Sequence, residues 1–121
     1  MNDNSDNFEG STDKIQDVTT DAFNAQVLNA QGPIAVEFMS YGCSHCREIE
    51  PVLQQVAARV ESTEKICRVN IAVEPDLASS YEIQGTPTLI MFLNGKQVGR
   101  IDGPSPTLSS VMTAVTQPFQ T

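Results

Sequence analysis

The fold of this chain is decided by one stretch, residues 34–60, which reads IAVEFMSYGCSHCREIEPVLQQVAARV. Its opening part, residues 34–39, is a compact apolar run with a single charge, a pattern typical of a strand buried on both faces. From Cys46 onward the apolar side chains recur every three or four residues, at Ile49, Leu53, Val56 and Val60. That spacing predicts an amphipathic helix over 44–60, so a C-x-x-C pair lies where a buried strand passes into a helix.

Alternating strand and helix patterns continue on both sides of this stretch. On the amino-terminal side we expect a strand over 15–18, and the run Thr19-Thr20-Asp21 offers N-cap chemistry for a helix to about Leu28. On the carboxyl-terminal side we expect a strand over 65–71, a helix over 75–81, strands over 89–93 and 97–101, and a helix over 108–116. Parallel crossovers followed by a hairpin predict the α/β class, with a central mixed sheet flanked by helices on both faces.

Size and charge limit the classes of protein and partner. The 121 residues suit one domain, which we expect to span 14–117, between a flexible acidic and polar tail at 1–13 and a short tail at 118–121. The net charge of -8 disfavours polyanionic partners, so we expect neither nucleic acid nor a membrane as a partner, and we expect a monomer. No apolar run approaches the roughly 18 residues that a membrane-spanning helix needs.

The three cysteines indicate the compartment and the kind of site. An odd count is unlike a secreted scaffold stapled by disulfides, and residues 1–13 lack the apolar run of a secretory signal. We therefore expect a cytoplasmic protein, in which cysteines tend to be catalytic or metal-bound. Cys67, in the second central strand, is expected to be a buried and inert thiol.

The pair Cys43 and Cys46 has the spacing of a redox centre. The free amides at a helix start favour the Cys43 thiolate, and His45 and the Cys46 thiol are the candidates for additional stabilisation. Because one helical turn separates the cysteines, their sulfurs can close into a disulfide, with Cys43 as the attacking thiol and Cys46 as the resolving thiol. We expect no cofactor beyond this redox-active disulfide, and no metal.

Other uses of a C-x-x-C pair fit this sequence less well. Zinc takes four ligands, and nitrogen or sulfur could come only from Cys43, His45, Cys46 and Cys67. Haem attachment requires a histidine directly after the second cysteine, where this chain has Arg47. A purely structural disulfide would be an unusual use of so short a loop in a cytoplasmic chain.

Several motifs fall in the same order as in the thioredoxin family, which this chain resembles over about residues 14–117. They are the buried strand, the C-x-x-C at a helix start, a proline inside that helix, the run Gly85-Thr86-Pro87-Thr88 before a strand, a hairpin and Gly103. The resemblance implies a thioredoxin fold in which the Thr86–Pro87 bond is cis and lies against the cysteines. It also implies substrate contacts at Thr86, Pro87 and Gly103. Tyr41 and Gly42, directly before the cysteines, are further candidates for substrate contact, with a place in the core as the alternative for Tyr41.

The resemblance further assigns roles to two charged residues. Glu37 occupies the position of the family's buried aspartate. A carboxyl group in this apolar run should have a raised pKa, which suits a proton acceptor for Cys46. Arg68 resembles the family's nearby lysine and is expected to pair with Glu37. A buried ion pair without a catalytic role is the alternative.

Departures from the family pattern leave the direction of electron flow open. The chain has no tryptophan, and Ser44-His45 stands between the cysteines instead of Gly-Pro. His45 resembles the histidine of disulfide isomerases and Dsb-type oxidases, so Ser44, His45 and Arg68 are expected to tune the redox centre. The resemblance implies a reductase of disulfide-containing proteins, recharged by a thioredoxin-reductase-like enzyme. An isomerase or oxidase bias, or a binding module without turnover, are the alternatives; a glutaredoxin fits less well, because the family's Pro-Tyr spacer is missing.

Overall fold

The computed structural model describes residues 13–120, which fold around one five-stranded sheet. Within these residues the strands are β1 (Gln16–Asp17), β2 (Pro33–Met39), β3 (Lys65–Asn70), β4 (Thr88–Leu93) and β5 (Lys96–Asp102). The α-helices are α1 (Thr20–Phe23), α2 (Ser44–Val60), α3 (Pro75–Ser80) and α4 (Leu108–Thr116). A π-helical segment, Asn24–Leu28, follows α1, and a 3-10 turn, Gln117–Phe119, follows α4. Residues 1–12 of the predicted amino-terminal tail, and residue 121, lie outside the described residues.

The sheet is mixed, with the strand order β1-β3-β2-β4-β5. Strand β3 pairs in parallel with both β1 and β2, because helices carry the chain back across the sheet between these strands. Strand β4 runs antiparallel to β2 and to β5, with which it forms the hairpin. The predicted α/β class and mixed central sheet are confirmed.

Helices cover both faces of the sheet, each over its own apolar core. Helices α2 and α4 pack on one face, where Leu53 and Val111 join Ala35 of β2 in a buried cluster. Helices α1 and α3 pack on the other, where Phe23 and Leu77 meet the opposite side of the same strands. Strand β2 is buried on both faces, which is the reason for its continuous apolar run.

Most element boundaries agree with the prediction to within two residues, and α2 and α4 match it in full. Strand β1 is limited to Gln16–Asp17, and the flanking Ile15 and Val18 side chains turn into the two cores. The second half of the first predicted helix is π-helical, and Asn29 N–H donates to the Asn24 carbonyl oxygen at 2.7 Å.

The ends of the described chain pack more closely than the sequence predicts. Phe119, assigned to a carboxyl-terminal tail, packs against the core beneath α2 and α4, because an aromatic ring buries apolar area there. Asp13, assigned to the amino-terminal tail, accepts a hydrogen bond from Gln54 at 2.8 Å. Within residues 13–120, no helix combines the length and the apolar character needed to cross a membrane.

Candidate active site

Cys43 is the N-cap of α2 and lies directly beyond the carboxyl end of β2. Its backbone is extended, with φ -88° and ψ 115°, so the side chain turns back over the first turn of the helix. There Sγ accepts the backbone N–H of Cys46 at 3.1 Å. A sulfur in this position receives an otherwise free amide of the helix start, and that interaction favours a negative charge on the sulfur.

The two thiols of the pair have different environments. Cys43 is half-buried, whereas Cys46 is only 3% exposed, and both are free thiols. Burial alone would raise the pKa of the Cys43 thiol, but hydrogen bonds from the Cys46 thiol and from the backbone N–H groups of the helix start outweigh burial and lower that pKa. Burial, together with the hydrogen bond to Cys43, raises the pKa of Cys46 to about 11. One thiol is therefore accessible and readily ionised, and the other is buried and protonated.

A second loop closes over Cys43 from the side of β4. The Thr86–Pro87 peptide bond in this loop is cis, as predicted. The Cys43 thiol lies 3.4 Å from the Thr86 carbonyl oxygen, to which it donates a hydrogen bond when protonated. Pro87 is buried and Thr86 is half-buried, so the reactive sulfur lies beside partly accessible main chain of Thr86.

The predicted contact residues Thr86, Pro87 and Gly103 lie together at this edge. The Gly103 N–H donates to the Pro87 carbonyl oxygen at 2.8 Å, which ties the loop after β5 to the cis-proline loop. Gly103 is exposed and has a φ of 56°, a conformation that favours glycine. Substrate binding by these residues remains a prediction.

The side chain of His45 points toward the loop after β5. Its Nε2 donates to the Pro104 carbonyl oxygen at 3.2 Å, because a carbonyl can only accept. The ring also lies against Gly103, where an added Cβ would come within 3.6 Å of Cε1. The backbone N–H of His45 is among the groups that lower the pKa of the Cys43 thiol. Redox tuning by Ser44, which is exposed, and by His45 remains a prediction.

Glu37 is fully buried in the middle of β2. Neither carboxylate oxygen has a hydrogen-bond partner among residues 13–120. Burial, and secondly the charge of Glu50, raise the pKa of Glu37 to about 8, although the Arg68 charge opposes this shift. The predicted rise in pKa is confirmed, whereas the role as proton acceptor remains a prediction.

The predicted ion pair between Glu37 and Arg68 is wrong. The Arg68 guanidinium instead bonds to Glu50 of α2, with Nη2 2.6 Å from Oε2. It also lies 3.2 Å from Asp17 and 3.7 Å from Asp13. Strand β3 lies between β2 and the edge strand β1, and the long arginine side chain bonds to partly hydrated carboxylates of α2 and of the β1 edge instead of to Glu37.

A cavity of about 270 Å³ lies between this arginine and Cys46. Its walls include Cys46, Glu50, Arg68 and the predicted contact residue Tyr41. Tyr41 is 63% exposed, and the neighbouring Gly42 is also exposed. Both residues therefore lie on the open side of the site, beside the first turn of α2.

Cys67 lies on the opposite face of the sheet from Glu37 and takes no part in this site. It is fully buried among apolar side chains, and burial raises its pKa to about 11. The expectation of a buried thiol is confirmed. Among the residues that the structure describes, no group of three or more His, Cys, Asp or Glu side chains is arranged to hold a metal ion.

Sequence reasoning missed Glu50 as part of the site. The signal was present, because Glu50 follows Cys46 by four residues and so lies on the same face of α2, one turn further along. It also missed Pro104, whose contribution is a backbone carbonyl and therefore carries no side-chain signal.

Comparisons with known proteins agree with this geometry. The family model described as Thioredoxin matches residues 14–114. Thioredoxin of Pyropia yezoensis is 33% identical over 100 residues, covering 81% of this chain and 94% of the relative. Thioredoxin 1 of a Nostoc species is 35% identical over 97 residues, which cover 78% of this chain and 91% of the relative. Thioredoxin M5, chloroplastic, of Oryza sativa subsp. japonica is 34% identical over 92 residues, which cover 74% of this chain and 54% of the relative. Together with the five-stranded mixed sheet, the family match confirms the predicted thioredoxin fold.

Proposed function

This chain belongs to the thioredoxin family, and from that membership we propose that it is a thiol-disulfide oxidoreductase that reduces disulfide bonds of other proteins. The observation that carries the proposal is that its two thiols differ in pKa and in burial. Cys43 has a lowered pKa at an accessible helix start, and Cys46 is buried directly behind it with a pKa of about 11. A dithiol with this asymmetry suits a reaction in two sequential attacks.

In the first attack the Cys43 thiolate displaces one sulfur of a substrate disulfide. A mixed disulfide forms between Cys43 and the substrate, and the substrate leaves with one thiolate. Cys46 then loses its proton to the ionised Glu37 carboxylate and attacks the Cys43 sulfur. The products are the Cys43–Cys46 disulfide and a fully reduced substrate, which has received two electrons. Its two thiolates take up one proton from solvent, where Cys43 released it on ionising, and one from Cys46 by way of Glu37.

The cis-proline loop is the proposed docking surface for the substrate backbone. The half-buried Thr86 places its main chain next to the Cys43 sulfur, and the exposed residues Gly103, Tyr41 and Gly42 are the further proposed contacts. Extended substrate could pair with this main chain while its disulfide approaches Cys43. The exposed glycine supports the proposal, because it leaves room for a polypeptide backbone.

The protein needs a source of electrons and a compartment that keeps its thiols reduced. The Cys43–Cys46 disulfide must be reduced again after each cycle, for which we propose a thioredoxin-reductase-like enzyme. We propose that the protein acts as a monomer, without a further cofactor, in a reducing compartment such as the cytoplasm.

Reduction of insulin disulfides by dithiothreitol tests the enzymatic proposal. Wild-type protein should accelerate the reaction, and Cys43→Ser should reduce the rate to that of dithiothreitol alone, because the attacking sulfur is lost. Cys67→Ala is the matched control and should keep the wild-type rate, since Cys67 lies on the opposite face of the sheet. An unchanged rate with Cys43→Ser would mean that the chain is a binding module without turnover.

The reduction potential of the pair tests the direction of electron flow. A lowered pKa of Cys43 stabilises the reduced form and makes the couple more oxidising, which is the observation that favours an isomerase or oxidase bias. Equilibration with glutathione gives the potential. A value near about -270 mV indicates a reductant, and a value above about -200 mV indicates an isomerase or oxidant.

A further inference from the structure

Glu37 and Arg68 are direct neighbours across the sheet. The parallel register of β2 and β3 pairs their Cα positions, so the two side chains leave the sheet on the same face, beneath α2. A buried carboxyl group beside an arginine is normally expected to form an ion pair with it. In this protein the guanidinium instead bonds to Glu50, with Nη2 2.6 Å from Oε2.

We infer that Glu50 is a positioning residue of the active site: it holds the Arg68 guanidinium against α2 and thereby leaves the Glu37 carboxyl group without a basic partner. The inference rests on the proposed function in one respect, since Glu37 is the proposed proton acceptor for Cys46. The arrangement itself is defined by geometry and can be measured without any assay of activity.

Glu50 is the strongest of the three carboxylate partners of Arg68. Its bond to the guanidinium is shorter than those of Asp17 and Asp13, at 2.6 Å against 3.2 Å and 3.7 Å. Its side chain is also the least exposed, at 35% compared with 70% for Asp17 and 46% for Asp13, so solvent screens this pair least. The interaction is charge-assisted and therefore stronger than a neutral hydrogen bond.

The Glu50 carboxylate is itself held in place. Gln54, one turn further along α2, donates Nε2 to Glu50 Oε2 at 2.8 Å. The same amide bonds to Asp13 at 2.8 Å, so the carboxylates around Arg68 are linked to one another. Glu50 also lines the cavity next to Cys46, which places the guanidinium at the wall of the active site.

The charged groups around Glu37 make the consequence predictable. Glu50 of α2 and Cys43, the N-cap of α2, interact with it electrostatically, as does Arg68 of β3, whose outer partners are Asp13 and Asp17. Strand β4 and helix α4 contribute no ionisable side chain. After burial, the Glu50 charge is the largest cause of the raised pKa of Glu37, and Arg68 opposes it.

Loss of the Glu50 charge therefore changes two interactions of Glu37, and both changes lower the pKa of Glu37. The repulsion between Glu50 and Glu37 disappears, and Arg68 is released toward Glu37. Both changes favour the ionised form of Glu37, so its titration should move to lower pH. Under the proposed function, the pH dependence of the second attack, by Cys46, should move with it.

The test is a titration of the Glu37 side-chain carboxyl carbon by NMR, in protein whose cysteine pair is oxidised so that neither thiol titrates. Glu50→Gln should lower the midpoint by about one pH unit, which is a tenfold loss of proton affinity. Glu48→Gln is the matched control, because it removes the same charge from an exposed position of α2, and should shift the midpoint by less than about 0.3 unit. Glu50→Ala serves as a second variant with the same expected shift.

A double-mutant cycle separates positioning from simple repulsion. In the Arg68→Gln background, Glu50→Gln should shift the Glu37 midpoint by less than half as much, because no guanidinium remains to be released. Equal shifts in both backgrounds, an unchanged midpoint with Glu50→Gln, or an equal shift with Glu48→Gln would each overturn the inference. None of these outcomes depends on insulin reduction, so failure of the inference and failure of the proposed function are distinguishable.

Discussion

Cys43 and Cys46 are chemically identical residues that the helix start makes unequal. Cys43 precedes the first helical residue and its sulfur receives an amide hydrogen, whereas Cys46 is one turn inside and faces the core. The environment therefore lowers the pKa of one thiol and raises that of the other to about 11. The difference defines which sulfur attacks first.

This inequality predicts selective alkylation. At pH 7 a limiting amount of iodoacetamide should modify Cys43 and leave Cys46 and Cys67 unmodified in the reduced, folded protein. A thiol with a pKa of about 11 is ionised to only about one part in ten thousand at pH 7. Peptide mass spectrometry identifies the modified residue, and unfolded protein provides the control, in which all three thiols should react. Modification of Cys46 before Cys43 would contradict the assignment of the attacking thiol.

The charged residues of the site show how far local sequence can predict partners. Glu37 was correctly expected to have a raised pKa, because an apolar strand pattern already implies burial. The choice of partner for Arg68 could not be predicted in the same way. A long side chain bonds to whichever carboxylate the packed helix brings within reach, and that carboxylate is Glu50, not the adjacent Glu37.

At the scale of elements, the β4–β5 hairpin shows the strongest agreement between local sequence and structure. The turn residues Asn94 and Gly95 have φ values of 52° and 84°, as the Asn-Gly dipeptide predicts. The turn also packs against the end of the π-helical segment, where the Gly95 Cα faces the Leu28 carbonyl. Glycine is therefore required at position 95 for two reasons: the backbone has a positive φ, and the Leu28 carbonyl leaves no room for a side chain.

Gly95→Ala should be strongly destabilising. The added Cβ would overlap the Leu28 carbonyl oxygen, a backbone atom that cannot move without disturbing the segment before β2. We expect a loss of about 2 to 3 kcal/mol in the free energy of unfolding, measured by urea denaturation. Gly85→Ala is the matched control and should cost much less, because an added Cβ there meets no heavy atom of the described residues within 4 Å. Equal losses for the two variants would contradict this account.

At the scale of the whole molecule, two buried carboxyl groups make stability dependent on pH. Glu37 lies within β2, and Glu64 precedes β3 at the other end of the sheet. Burial is the main cause that raises the pKa of each to about 8. Since both bind protons more tightly in the folded state, their contribution to stability is complete below about pH 4.5 and is lost as the pH rises through about 8.

Glu37→Gln should remove much of this pH dependence. Between pH 5 and pH 8 the wild-type protein should lose on the order of 3 kcal/mol more than the variant in the free energy of unfolding, because the variant has no proton to release at this position. Urea denaturation at the two pH values measures the difference. Glu48→Gln, at an exposed position, should follow the wild type. Parallel curves for wild type and Glu37→Gln would show that the Glu37 pKa is not raised.

The sequence by itself determined the order of the elements, the mixed sheet and the position of the cysteine pair. These follow from local rules: apolar periods of two and about 3.6 residues, a capping position, an Asn-Gly turn and the C-x-x-C spacing. The cis Thr86–Pro87 bond was expected from the resemblance to the thioredoxin family, not from these local rules. The domain bounds stay predictions, although Asp13 and Phe119 already pack against the folded part.

Only the tertiary structure decided which charged and polar groups meet. His45 bonds to the Pro104 carbonyl, which is 59 residues away, and Arg68 bonds to Glu50, which is 18 residues away. No local pattern encodes such pairs, because they depend on how α2 is placed over the sheet and on how far each side chain reaches. The physical reason is that apolar burial selects the packing first, and the polar side chains then bond to the partners that this packing leaves within reach.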